Sequence, residues 1–172
     1  MNKLLLFIFC FLLFTSCRLR SKKTNTEEAN LDTKIEMMDT DREFSLVSEK
    51  KGLRNAYSEF IDSNGVLLRP GYKPMEGADA LDYIIQSNDS SFIMTWDPKE
   101  AELSSSGDIG YTYGVYSLMQ KGIDTVTYGS YVTIWKRQPD GKWKFVLQSG
   151  NEGIEAEAEP AEDSTKAPKS KF

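Results

Sequence analysis

Apolar residues recur at helical spacing in the first half of the chain and at every second position in the second half. Asp39 or Thr40 can cap a helix carrying Phe44, Val47 and Lys51, and Gly52 interrupts it. Leu53, Ala56, Tyr57 and Phe60 resume the helical period until the turn cluster Asp62-Ser63-Asn64-Gly65. This predicts two helices, or one kinked at Gly52. Val66 to Arg69 reads as a short strand stopped by Pro70-Gly71, and Ala78 to Gln86 as a helix with Leu81, Ile84 and Ile85 on one face. From Ser91 the period is that of a strand. Ser91 to Trp96 alternates and breaks at Asp97-Pro98, and Ala101 to Ser104 can continue it. Asp108 to Met119, Val126 to Arg137 and Trp143 to Gln148 are the following strands, separated by a loop at 121–124 and a hairpin turn at Pro139-Asp140-Gly141. Helices followed by an antiparallel meander make an α+β fold.

The strands carry apolar residues on both sides. Tyr131, Thr133 and Trp135 fall on one face, Val132 and Ile134 on the other. Trp143, Phe145 and Leu147 oppose Val146 and Gln148 in the same way. One face is expected to pack on the helices. The other needs a cover, and a second copy of the chain is the simplest one, giving a homodimer through the outer sheet face.

The two ends have a different character. Met1-Asn2-Lys3, an apolar run from Leu4 to Phe14, and Thr15-Ser16-Cys17 form a charged n-region, an h-region too short to span a bilayer, and a small-residue cleavage site. The stretch resembles a bacterial lipoprotein signal, with Phe14 where leucine is usual. That resemblance implies removal of 1–16 and lipidation of Cys17. The alternative is a free or intermolecularly paired thiol at Cys17, because cleavage also removes Cys10 and leaves no partner within the chain. A lipid anchor would be the only membrane contact. Arg18 after the cysteine points to the outer membrane, facing the periplasm or the cell surface. Residues 17–35 read as the lipidated cysteine and a flexible polar tether, 36–151 as one domain, and 152–172 as a disordered charged tail, solvated or partner-binding.

The formal net charge is −5, and losing the signal removes one charged residue, Lys3, to give −6. That balance argues against nucleic acid as a partner. The chain has no histidine, which removes Ser-His-Asp and Cys-His catalysis and histidine-ligated zinc. No phosphate-binding loop is present, and no metal or cofactor is expected. Carboxylates, tyrosines and lysines remain. Asp108 is a candidate general base if burial raises its pKa. The adjacent glycines favour the other reading, an aspartate that bonds backbone amides at a strand entry. Tyr57, Trp96, Tyr111, Tyr113, Tyr116, Tyr128, Tyr131 and Trp135 can line an amphipathic pocket or build core and interface. Arg69 can pair with an acidic ligand group or with a surface glutamate.

Four blocks, taken together, resemble a known group. They are Trp96-Asp97-Pro98, the stretch Ser106 to Gly114, the stretch Gly129 to Arg137, and Asp140-Gly141-Lys142-Trp143-Lys144. They are similar to the SnoaL-like (DUF4440) group of the NTF2-like superfamily over about Asp39 to Glu152. The resemblance implies a cone: a strongly curved antiparallel sheet wrapped around N-terminal helices, with a pocket between them and dimers through the outer face. It also implies a choice among functions, since the superfamily holds isomerases, dehydratases, cyclases and non-catalytic binding domains. Asp108 recurs across that group, whose members mostly lack a demonstrated reaction; in the enzyme alternative it is the general base, with Tyr113 or Tyr131 as hydroxyl donor. Gln148 stands where members often carry an aspartate, and an amide cannot transfer protons, though it can hydrogen-bond a ligand. The leading expectation is a lipoprotein holding a small amphipathic molecule in its pocket. The alternatives are the enzyme and a dimeric interaction module with a filled pocket.

Overall fold

Met37, Asp41, Phe44, Ser45 and Ser48 share the buried face of the first helix at helical spacing. The computed structural model describes residues 28–153 except 124, and helix α1 covers 28–51 of them. Neither Asp39 nor Thr40 caps this helix. Both lie inside it, Asp39 accepting from Arg42 at 2.8 Å and Thr40 Oγ1 donating to the Glu36 carbonyl at 2.9 Å. Residues 28–35, read above as tether, are also helical, and Lys34 ties them to Glu100 at 3.1 Å. The polar members of the buried face hide this continuity from a hydrophobic pattern. Residues 1–27, with the signal, Cys17 and the rest of the tether, and 154–172 of the tail lie outside the described residues. Among the described residues no helix is long and apolar enough to cross a membrane.

Gly52 separates α1 from α2 (Leu53–Phe60) with φ at +90°, in the left-handed region that favours glycine. Ala56, Tyr57 and Phe60 face the core. The chain then enters β1 (Ile61–Leu68) with no intervening loop. The expected turn at Asp62–Gly65 is an irregularity within that strand, between Ile61 and Val66, where the Asp62 carboxylate accepts from the Asn64 amide. β2 (Met75–Glu76), α3 (Ala78–Gln86), β3 (Phe92–Leu103), β4 (Ile109–Gln120), β5 (Val126–Arg137) and β6 (Trp143–Glu152) complete the order. In α3, Ala80 and Ile84 are buried, whereas Ile85 points outward.

The six strands form one sheet in the order β2-β1-β6-β5-β4-β3. β3 to β6 are the expected antiparallel meander. β1 pairs parallel with β6, and β2, α3 and the meander form the long crossover that a parallel pair requires. The sheet curves around the helices as a cone. Phe44 sits at its centre, with ring centroids 4.6 Å from Trp96, 5.0 Å from Tyr57, 5.1 Å from Phe60 and 5.6 Å from Phe145. β3 runs unbroken through Asp97-Pro98, with a bulge between Pro98 and Glu100.

A second bulge changes the face assignment of β6. Ile134 pairs with Leu147 and Trp135 with Phe145, so Val146 is the extra residue. Trp143 and Phe145 face the core as expected. Beyond the bulge the parity inverts, and Gln148, assigned by simple alternation to the opposite face, becomes buried on the inner one.

Candidate functional site

The open end of the cone holds two adjoining cavities of about 280 and 220 Å³, which share Leu53, Tyr57, Arg69, Tyr83 and Phe92. Met94, Tyr116, Leu118, Tyr131 and Gln148 add the sheet wall of the larger one, and Glu152 also lines it. A wider groove of about 660 Å³ between α1 and the β5–β6 turn is lined by charges of both signs. The cone cavity, apolar with a few convergent polar groups, has the character of a ligand site.

Its polar end is built by three elements. Tyr57 comes from α2, Arg69 follows β1, and Gln148 comes from β6 through the bulge just described. Arg69 Nη2 donates to the Tyr57 hydroxyl at 3.0 Å and to Gln148 Oε1 at 2.5 Å. Nη1 donates to the carbonyl oxygens of Leu68 at 2.9 Å and Gln148 at 3.4 Å. The guanidinium carbon also lies 5.6 Å from the Tyr57 ring centroid. Burial pushes the Tyr57 hydroxyl above the ordinary tyrosine range, and the Arg69 charge opposes that rise. Arg69 therefore pairs with an amide and a phenol, not with the surface glutamate offered above.

Behind the sheet wall lies a residue that the sequence pattern does not flag. Asp41, wholly buried on α1, accepts from Trp96 Nε1 and from the Tyr131 hydroxyl, each at 2.8 Å, and Thr112 also bonds it. Thr112 in turn accepts from Trp135 Nε1 at 2.8 Å. Desolvation holds the Asp41 pKa above the usual carboxylate range, against the pull of these donors. Burial and the adjacent carboxylate raise Tyr131 well beyond its ordinary value. An aspartate between Met37 and Phe44 at helical spacing was the available signal, since a carboxylate is rarely fully buried without partners.

The remaining sequence candidates separate by position. Trp96 and Trp135 belong to the core and hold the Asp41 network. Tyr111 and Tyr113 stand on the outer sheet face, 42% and 41% exposed. Asp108 is exposed in the β3–β4 turn, where its carboxylate accepts from Ser104 at 3.2 Å and from Ser106. The Ser106 bond, first among the causes, draws its pKa below the usual range. The burial that would make Asp108 a base is absent, and it lines neither cone cavity. Among the described residues no group of three or more His, Cys, Asp or Glu side chains is placed to hold a metal ion.

No protein-family profile matches this sequence, and no curated protein matches it. Solved structures do match its fold. An NTF2-like superfamily protein from Salmonella enterica serovar Typhimurium aligns with TM-score 0.56 at 11% identity, over 74% of this chain and 95% of that one. The S. rosetta CaMKII hub aligns with TM-score 0.55 at 18% identity, over 70% and 96%. A ketosteroid isomerase-like protein from Erwinia carotovora atroseptica aligns with TM-score 0.54 at 16% identity, over 67% and 92%. The fold is the NTF2-like cone.

Proposed function

We propose that this chain is a SnoaL-like domain carried on a bacterial envelope lipoprotein, and that its cone cavity binds a small amphipathic molecule. The observation that carries the reading is the cavity itself: apolar walls ending in the convergent Arg69, Tyr57 and Gln148. Binding is favoured over turnover because Asp108 lies outside the cavity and Asp41 is already fully engaged behind Tyr131. The n-region, h-region and Cys17 support lipidation, and Arg18 supports an outer-membrane address. Exposed apolar side chains on β4 and β5 support a homodimer through the outer face.

Native mass spectrometry of the full chain, extracted gently from its own membranes, tests the binding reading. The expected result is a small-molecule adduct that leaves on denaturation. A clean spectrum, with a thermal midpoint unmoved by a panel of amphipaths, would sink it. In the same preparation Cys17→Ser is expected to abolish the lipid mass and move the protein to the soluble fraction.

A further inference from the structure

The binding reading leaves the class of ligand open, and the charge balance at the polar end of the cavity narrows it. Arg69 is a half-buried cation whose hydrogen-bond partners are all neutral: two carbonyl oxygens, one amide oxygen and one phenol. Among the described residues no carboxylate forms an ion pair with it. Arg42, Arg137 and Lys34, nearer the surface, each have one. A cation withdrawn from water ordinarily has a counter-charge, because desolvation is otherwise uncompensated.

The donors and acceptors are also unbalanced. Arg69 occupies the amide oxygen of Gln148 and the oxygen of Tyr57. Its own Nε–H, the Tyr57 hydroxyl proton and at least one Gln148 amide proton have no acceptor among the described residues. The polar end therefore offers donors and one positive charge, the complement of a carboxylate. The walls are Leu53, Phe92, Met94, Leu118 and tyrosine rings, the complement of an apolar body. Two acidic groups bound the site, Glu152 along its lining and Asp41 behind Tyr131, and both disfavour a second negative charge on the ligand.

We infer that the cavity takes a small monocarboxylic acid with an apolar body, its carboxylate seated against Arg69, Tyr57 and Gln148. This rests on the binding reading above and specifies it.

Octanoate and 1-octanol, matched in length and differing in the head group, are suitable probes for calorimetric titration of the full chain. Octanoate is expected to bind about ten-fold tighter than 1-octanol or better, as a charge-assisted contact implies. Gln148→Glu would supply Arg69 with a carboxylate from within. It is expected to keep the fold, lower octanoate affinity about ten-fold, and spare 1-octanol. Equal affinity for the two probes in the unaltered protein would overturn the acid class while leaving the cavity reading standing. Unchanged octanoate affinity in a folded Gln148→Glu protein would overturn the seat at Arg69. Binding of neither probe would overturn the acid class, and the adduct measurement separately decides the cavity reading.

Discussion

Asp41 lies on the most apolar face of α1 with none of its surface exposed, and Trp96, Tyr131 and Thr112 aim donors at its carboxylate. Desolvation outweighs those donors, so its folded pKa lies above the unfolded value of about 3.9. The sign follows from linkage. Through the window between those two values the folded state binds more protons, so stability falls as pH rises, and above the folded value the whole cost is present. Glu100 and Asp108 have lowered pKa values and contribute in the opposite sense, losing stability as pH falls. Asp41→Asn removes only the first effect. Denaturant midpoints measured from acid to neutral pH should therefore show the unaltered protein losing ground relative to the variant as pH rises. Parallel curves would mean that Asp41 titrates in the folded protein as it does in the unfolded chain. The sequence half-concealed this residue. A polar side chain on a buried stripe reads as a gap in the pattern, and only the fold shows that Trp96 and Tyr131 fill it.

At the level of elements, the long strands were legible because alternation over a dozen residues leaves little choice of type. The strands from Val126 to Arg137 and from Ile109 to Gln120 fall within about a residue of their expected limits. The bulges were not legible. One extra residue changes local preference very little, and the ladder with the neighbouring strand decides where it sits. That is why Gln148 was assigned to the wrong face, and with it the junction of β1, β6 and α2 that forms the polar end of the cavity. Tyr57, Arg69 and Gln148 are each legible in the sequence as pocket candidates, without any indication that the three meet. The β3–β4 turn gives a different case: the sequence offers Asp108 as the best available base while its neighbouring glycines favour a structural role, and the structure places it in a turn, accepting from Ser104 and Ser106. Asp108→Asn should lower the thermal midpoint slightly, through the weakened bonds to Ser104 and Ser106, and leave probe binding at the cavity unchanged. A loss of probe affinity with an intact fold would return Asp108 to the site.

For the whole molecule, the inner face of the sheet packs on the helices and walls the cavity, and the outer face carries exposed apolar side chains. Tyr113 pairs across strands with Val132 on β5 and Glu100 on β3, and Tyr111 and Val115 flank it on the same face. These side chains are too exposed to help the protomer's own core, yet they form a continuous apolar strip. If two copies close on this strip about a two-fold axis, any residue near its centre meets its own image or that image's neighbours. Tyr113→Lys should then be tolerated by the protomer, since the new ammonium has Glu100 beside it, and exposed substitutions usually change stability by no more than about 0.5 kcal/mol. The dimer should not tolerate it, because two ammonium groups would be desolvated near each other within an apolar contact. Sedimentation of the unaltered chain at micromolar concentration is expected to show a dimer, and Tyr113→Lys a monomer with unchanged octanoate affinity. The unchanged affinity follows from geometry: the cavity opens on the inner face and Tyr113 stands on the outer one. A monomer in the unaltered protein would assign the strip to a different partner. Loss of octanoate binding on monomerisation would show instead that the second copy helps shape the cavity.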